Sequence, residues 1–363
     1  MIYFLNSLLL SIVSFTDLDK NHRKNGKLLL FFLCGFLVLF ASLRDNVGLD
    51  DIGYKEYFEA TNSLDEVIFE GENLSSDKTN LVEPLFLLMA SVGKIITEEV
   101  FILFFICATI ALFIRYKIFW KYSPYPILSL LIYASHEFYV KDWTQIRAGL
   151  ASVIILYGIK FLFSGKDKKF IITVIIAAGF HYIAVIAIPL LFLRNLKNPK
   201  KFYSRALLLA AGISLLIPFK ATLIQLSEYG LIPYRISQYF YYQKYAFEMA
   251  ITDIIIIKGV ILSLISIYYY NRLASKYSFY SIILSYQVLA TIYLLVFRDF
   301  SIMAVRANGL LYVVEPILII LLLNQIKQKG FVFMGAFLYS FLWIFYDQFL
   351  NPFGLPVYKT ILE

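Results

Sequence analysis

Apolar residues fall along this chain in long blocks separated by short polar stretches. Blocks such as KLLLFFLCGFLVLFASL and ANGLLYVVEPILIILLLN lack the apolar and polar alternation of a membrane barrel strand, so they predict helices. At a rise of ~1.5 Å per residue, a run of about 17 to 24 residues crosses a ~30 Å hydrocarbon core. The runs are residues 1–16, 28–43 and 82–96, then those opening EEVFILFF, PILSLLIY and AGLASVII, then 170–193, 206–226, 253–270, 278–297, 307–324 and 331–350. They predict an all-α integral membrane protein of 10–12 transmembrane helices in a single polytopic domain, 1–363. MIYFLNSLLLSIVSFT has neither a basic start nor a small-residue cleavage site and reads as an anchor, not a removable signal peptide.

The loop charges orient these runs. Lys20, Arg23, Lys24 and Lys27 place the first loop in the cytoplasm, so the second run delivers Arg44 to the outer face. Arg272 with Lys276, and Lys327 with Lys329, mark later cytoplasmic loops. The middle offers two solutions. If every run crosses, there are twelve spans, but Arg115, Lys117, Lys121, Lys166, Lys168 and Lys169 lie outside, against the positive-inside bias. If 82–96 lies at the outer interface and 170–193 is re-entrant or broken, turning near Gly179 to His181, ten spans remain and those basic loops face the cytoplasm. Irregular backbone at membrane depth must be buried or line a polar cavity, so the ten-span solution, which we favour, predicts a cavity at His181.

Composition supports the membrane reading. The 363 residues are 60% hydrophobic and 18% aromatic, with a mean hydropathy of +0.73, more apolar surface than a soluble domain buries. The net charge of +8 and pI near 9.1 come from Lys and Arg in short loops, which points away from nucleic acid. One stretch stands apart: Arg44 to Glu83 carries 3 basic and 11 acidic residues, a local charge of −8 against +16 elsewhere. It forms an acidic extracytoplasmic loop, 44–81. A second outer loop, 227–252, is dense in Tyr and Phe, suited to an interfacial belt or to stacking on sugars. Cys34 and Cys107 sit inside apolar runs and indicate no disulfide framework.

Polar groups at membrane depth are expensive and mark partners or substrates. Arg44 stands where the second run emerges, followed by Gly48, Asp50, Asp51 and Tyr54. A guanidinium there can fork onto phosphate oxygens or snorkel to lipid phosphate. Glu83-Pro84 opens the next run, as expected of a first helical turn. His136, Gln145 and Arg147 meet at a helix junction. Gln145 and Arg147, two apart, would not share a helix face unless the helix breaks between them. His181 lies near the middle of a 24-residue apolar run, too deep for an interfacial residue. Arg298, Asp299 and Arg306 crowd the last outer loop, and Glu315 lies mid-helix, where it would pair with a buried Arg. No GxxxxGK[ST], dinucleotide fingerprint or HExxH occurs, so neither metal nor cofactor is expected.

These residues resemble the EpsG family of bacterial polysaccharide proteins, grouped with Wzy-type O-antigen and capsule polymerases. The resemblance rests on Arg44, Val47, Gly48, Asp50 and Tyr54, then Glu83-Pro84, then Gln145-Ile146-Arg147, then Phe180-His181, in that order. It is strong over about 1–195 and continues beyond by helix pattern and Arg306. Ala148 stands where the family often has a further Gln or Arg. The resemblance implies an architecture like the GT-C class of lipid-linked glycosyltransferases, in the bacterial inner membrane. The implied reaction transfers a growing glycan from undecaprenyl diphosphate to a lipid-linked acceptor repeat unit at the outer face, beside a flippase and a chain-length regulator. Such a transfer needs cations for the leaving diphosphate and a base for the acceptor hydroxyl. Arg44, Arg147 and Arg306 are the diphosphate candidates, with Tyr54, Gln145 and Arg298 completing the substrate-binding set. Asp50, Asp51, Glu83 and His181 are the catalytic candidates, His181 preferred as base. A lipid-linked oligosaccharide flippase, or an O-antigen ligase or membrane acyltransferase, would draw on similar residues.

Overall fold

The computed structural model describes residues 2–18, 23–70, 82–231, 247–351 and 354–361. It is helical throughout: α1 (Ile2–Ser14), α2 (Arg23–Ser42), α3 (Asp51–Glu59), α4 (Pro84–Lys94), α5 (Phe101–Tyr122), α6 (Pro126–Ser135), α7 (Ile146–Tyr157), α8 (Ile159–Phe163), α9 (Asp167–Ala178), α10 (Leu190–Leu193), α11 (Pro199–Leu216), α12 (Phe219–Glu228), α13 (Ile254–Tyr268), α14 (Tyr270–Lys276), α15 (Tyr280–Val296), α16 (Ser301–Leu311), α17 (Glu315–Leu323) and α18 (Lys329–Phe345). No strand forms among the described residues. Part of the acidic loop, 71–81, and most of the aromatic one, 232–246, lie outside them.

Every apolar run folds as helix, several of them in two or more pieces, but fewer are long enough to cross a membrane. Among the described residues five are long and apolar enough, Asn25–Ser42, Phe101–Tyr122, Ile146–Phe163, Ser301–Leu323 and Lys329–Leu350. Two more arise if each bent pair counts as one span, Pro199–Leu216 with Phe219–Glu228 (64°) and Ile254–Tyr268 with Tyr270–Lys276 (68°). The other five runs form shorter apolar helices, which is why counting runs gives a larger number. Pro84 at the first turn fixes where α4 begins, and α4 is only 11 residues long.

The chain divides into two compact units. The first comprises Met1–Tyr157, Ile172–Ala184 and Ile319–Glu363. Here α2 packs on α5, α5 on α7, and α1 and α18 on α6. The Asp17 carboxylate accepts the backbone N–H groups of Ile127 and Leu128 at 2.8 and 3.1 Å, so α6 starts beside the end of α1. From that end α2 runs to Arg44 and α6 runs to His136, placing both residues at the opposite end. The tail returns to this same end. Asp45 N–H donates to the Lys359 carbonyl (3.1 Å) and Ile361 N–H to the Leu43 carbonyl (2.9 Å), closing an antiparallel bridge between Arg44 and Thr360. Large apolar side chains such as Phe32, Leu39 and Ile175 face outward while Ser129, Ser135, Ser152 and Ser340 are buried, the inverse of a soluble bundle.

In the second unit, Gly158–Ile171 with Val185–Leu318, α15 lies among α11, α13 and α16. Small polar contacts join these helices: Tyr203 to Ser285 at 2.7 Å, Ser263 to Thr291 at 2.9 Å, and the Asn308 amide donating to the Ala290 carbonyl at 3.2 Å. The two ends of the 170–193 element meet within this unit, through an Arg194–Asp167 ion pair. Its turn, in the first unit, packs on α4: Leu85 N–H donates to the Gly179 carbonyl at 2.9 Å, and a Cβ on Gly179 would lie 2.5 Å from Leu85 Cδ1. The element is therefore a broken hairpin, turning where the ten-span solution expects it.

Candidate functional site

Arg44 leaves the end of α2 and is buried. Its Nε and Nη2 fork onto the Asp51 carboxylate at 2.8 to 3.1 Å. Nη2 also donates to the Trp143 carbonyl at 2.9 Å, Nη1 donates to the Ala41 carbonyl, and the guanidinium carbon sits 3.8 Å over the Phe104 ring. Asp51 in turn accepts Gly48 N–H at 2.6 Å. A Cβ on Gly48 would lie 2.6 Å from Asp51 Oδ1 and 2.8 Å from the Trp143 carbonyl oxygen, so this position requires glycine. The Arg, Gly and Asp of the opening motif thus build one tie, from α2 and α3 to the π-helical turn Tyr139–Thr144. Asp50, beside Asp51, is exposed.

The second motif meets the third. Glu83, buried ahead of α4, accepts Arg147 Nη1 at 2.7 Å through Oε2, and Tyr182 N–H at 3.4 Å through Oε1. Tyr182 follows His181, so the fourth motif joins the same cluster. The Arg147 guanidinium carbon lies 6.0 Å from the Tyr54 ring centre, 5.7 Å from Tyr57 and 5.9 Å from Phe86. Burial raises the Tyr54 hydroxyl above its ordinary pKa, and the Arg147 charge opposes that rise. Arg147 Nε is buried with no hydrogen-bond partner among the described residues, although the side chain as a whole is 23% exposed. The Tyr54 hydroxyl is a second hydrogen-bond partner of Arg147 beside Glu83, and a guanidinium so held with a donor to spare is chemically suited to an anion.

Gln145 ends the π-helical turn and Arg147 lies in the first turn of α7, so the helix does break between them. Gln145 Oε1 accepts Lys141 Nζ at 3.4 Å. His181 Nδ1 accepts Ile183 N–H at 3.3 Å, which leaves the ring proton of neutral His181 on Nε2. Arg298 and Arg306 belong to the second unit. There Arg298 pairs with Glu248 and donates to the Met249 carbonyl at 3.2 Å, and its Nε is buried without a hydrogen-bond partner among the described residues. A cavity of about 340 Å³ adjoins the Arg44 corner in the first unit, lined in part by Arg44, Asp51, Lys55, Glu99, Phe101 and Phe104.

Three polar pairings were not legible in the sequence. Arg115, counted there among loop charges, is fully buried inside α5, 3.4 Å from Asp142 and 4.2 Å over the Tyr133 ring. Glu315 pairs with Lys258 at 3.2 Å, not with an arginine. His136 Nδ1 lies 2.6 Å from Asp347 Oδ2, although 211 positions separate the two residues.

An apolar exterior over buried polar ties defines a polytopic integral membrane protein. The EpsG family model matches residues 27–360, and the chain belongs to that family. It is similar to the amylovoran biosynthesis protein AmsC of Erwinia amylovora, 26% identical over 377 residues that cover 99% of this chain and 97% of that protein. No solved structure matches it significantly.

Proposed function

We propose that this chain polymerises lipid-linked polysaccharide repeat units. It transfers the growing glycan from undecaprenyl diphosphate to an acceptor repeat unit at the outer face of a bacterial inner membrane, without a metal. Family membership and similarity to a protein named for amylovoran biosynthesis support the class of pathway. The observation that carries the chemistry is Arg147, fixed by Glu83 and keeping a buried Nε that has no hydrogen-bond partner among the described residues. When the anomeric carbon leaves the diphosphate, negative charge grows on the bridging oxygen, and a preorganised guanidinium stabilises that charge more than it stabilises the ground state.

In this reading Arg44 and Asp51 hold the corner, Gln145 and Tyr54 border the donor, and His181 donates a hydrogen bond to it through Nε2. Asp50 and the cavity beside Arg44 meet acceptor sugars, whose hydroxyls suit carboxylates and lysine and whose apolar faces suit Phe101 and Phe104. A flippase and a chain-length regulator act alongside. The test is Arg147→Ala in cells at wild-type membrane abundance. Long-chain surface glycan should collapse to a single capping unit. Loss of all surface units would favour a flippase, and polymer retained on the carrier lipid would favour a ligase.

A further inference from the structure

His136 and His181 are wired oppositely. His181 Nδ1 accepts a backbone N–H, whereas His136 Nδ1 faces the buried Asp347 carboxylate at 2.6 Å. A carboxylate there accepts the Nδ1 proton and leaves the Nε2 lone pair as the basic position. The arrangement is held on every side. Asp347 Oδ1 accepts the Asn351 amide at 3.1 Å, its carbonyl accepts Leu355 N–H at 3.1 Å, and the His136 ring stacks on Trp343 at 4.3 Å between centres. His136 is nonetheless 19% exposed.

His136 ends α6 at the Arg44 end of the first unit. Its carbonyl accepts the N–H groups of Tyr139 and Val140, at 3.1 and 3.3 Å, which opens the turn leading to Arg147. Eleven positions separate His136 from Arg147, and the two residues flank the turn Tyr139–Thr144.

We infer that His136, oriented by Asp347, is the general base of the transfer, an assignment that rests on the polymerase reading. Its Nε2 takes the proton of the acceptor hydroxyl as that oxygen bonds to the donor anomeric carbon. The bond from that carbon to the diphosphate oxygen breaks, its electron pair stays on the diphosphate facing Arg147, and the proton then passes from Nε2 to water.

The test uses the full-length purified protein with synthetic lipid-linked repeat units, alongside His136→Gln, His136→Ala, Asp347→Asn and Arg147→Ala. His136→Gln keeps a donor for Asp347 and controls for folding. Expected are a ~10²- to 10⁴-fold loss of turnover in both His136 variants, donor binding within about twofold of wild type, an intermediate loss in Asp347→Asn, and partial rescue of His136→Ala by added imidazole. Wild-type turnover in His136→Gln, or loss of donor binding in parallel with turnover and no imidazole rescue, overturns the inference. If wild type polymerises, Arg147→Ala does not and the His136 variants do, only this inference falls. If wild type itself makes no polymer, the polymerase reading falls.

Discussion

Arg147 Nη1 rests 2.7 Å from Glu83 Oε2, joining two motifs separated by 64 positions in the chain. The pair orients the guanidinium and leaves one donor open, since Nε lacks a hydrogen-bond partner among the described residues. Arg147→Ala should lower polymer synthesis ~10²- to 10³-fold, the usual cost of one preorganised charge-stabilising donor. Glu83→Gln, which keeps an acceptor, should lose less, and the double variant should be no worse than Arg147→Ala alone. Rates normalised to protein abundance check this, and strictly multiplicative losses would mean that the two residues act separately.

Arg44 differs from Arg147 in having its donors engaged and its side chain shielded. Removing either Arg44 or Asp51 strands a buried charge, at a cost of ~3 to 5 kcal/mol. Arg44→Ala and Asp51→Ala should therefore each lower membrane abundance and the melting temperature in detergent. The combined variant should recover part of the loss, since neither charge is then left alone. Unchanged melting in both single variants would show that the tie contributes nothing to stability.

A Cβ on Gly149 would strike the backbone carbonyl of Lys141, whereas one on Gly212 would meet nothing within 4 Å. Gly149→Ala should destabilise by about 1 to 3 kcal/mol through overpacking against rigid backbone. Gly212→Ala, inside α11, should be neutral or stabilising by up to ~1 kcal/mol. Thermal melts of the two variants provide the comparison.

The Arg194–Asp167 ion pair draws the two ends of the 170–193 element together, so Lys168 should face the same side as Lys201. Single-cysteine variants at both positions, labelled with an impermeant maleimide in intact cells, should both stay unlabelled from outside. Labelling of Lys168→Cys alone would make 170–193 a crossing span.

Much of this was legible because lipid imposes a simple code. Each apolar run folded as helix, and Gly179 to His181 was readable as a break because a loop of Lys166, Lys168 and Lys169 had otherwise to lie outside. Span length was less legible: hydropathy continues across a break, and the 64° bend between α11 and α12 falls inside the run 206–226. The four motifs were readable in order, and the ties of Arg44 to the turn before Arg147, of Arg147 to Glu83, and of Glu83 to the backbone after His181 unite them in space. Pairings such as His136 with Asp347 or Arg115 with Asp142 were hidden, because spacing along the chain says nothing about partners from distant helices. Arg115 looked like a loop charge because Lys117 and Lys121 follow it closely.

The most direct measurement is polymer length after purified protein is mixed with a synthetic undecaprenyl-diphosphate repeat unit and resolved by mass. The wild type should give a ladder of lengthening lipid-linked glycans with release of undecaprenyl diphosphate, and Arg147→Ala should leave the starting unit unchanged. A wild type that forms no ladder from a unit matching its own glycan, or an Arg147→Ala variant that forms a normal one, contradicts the account.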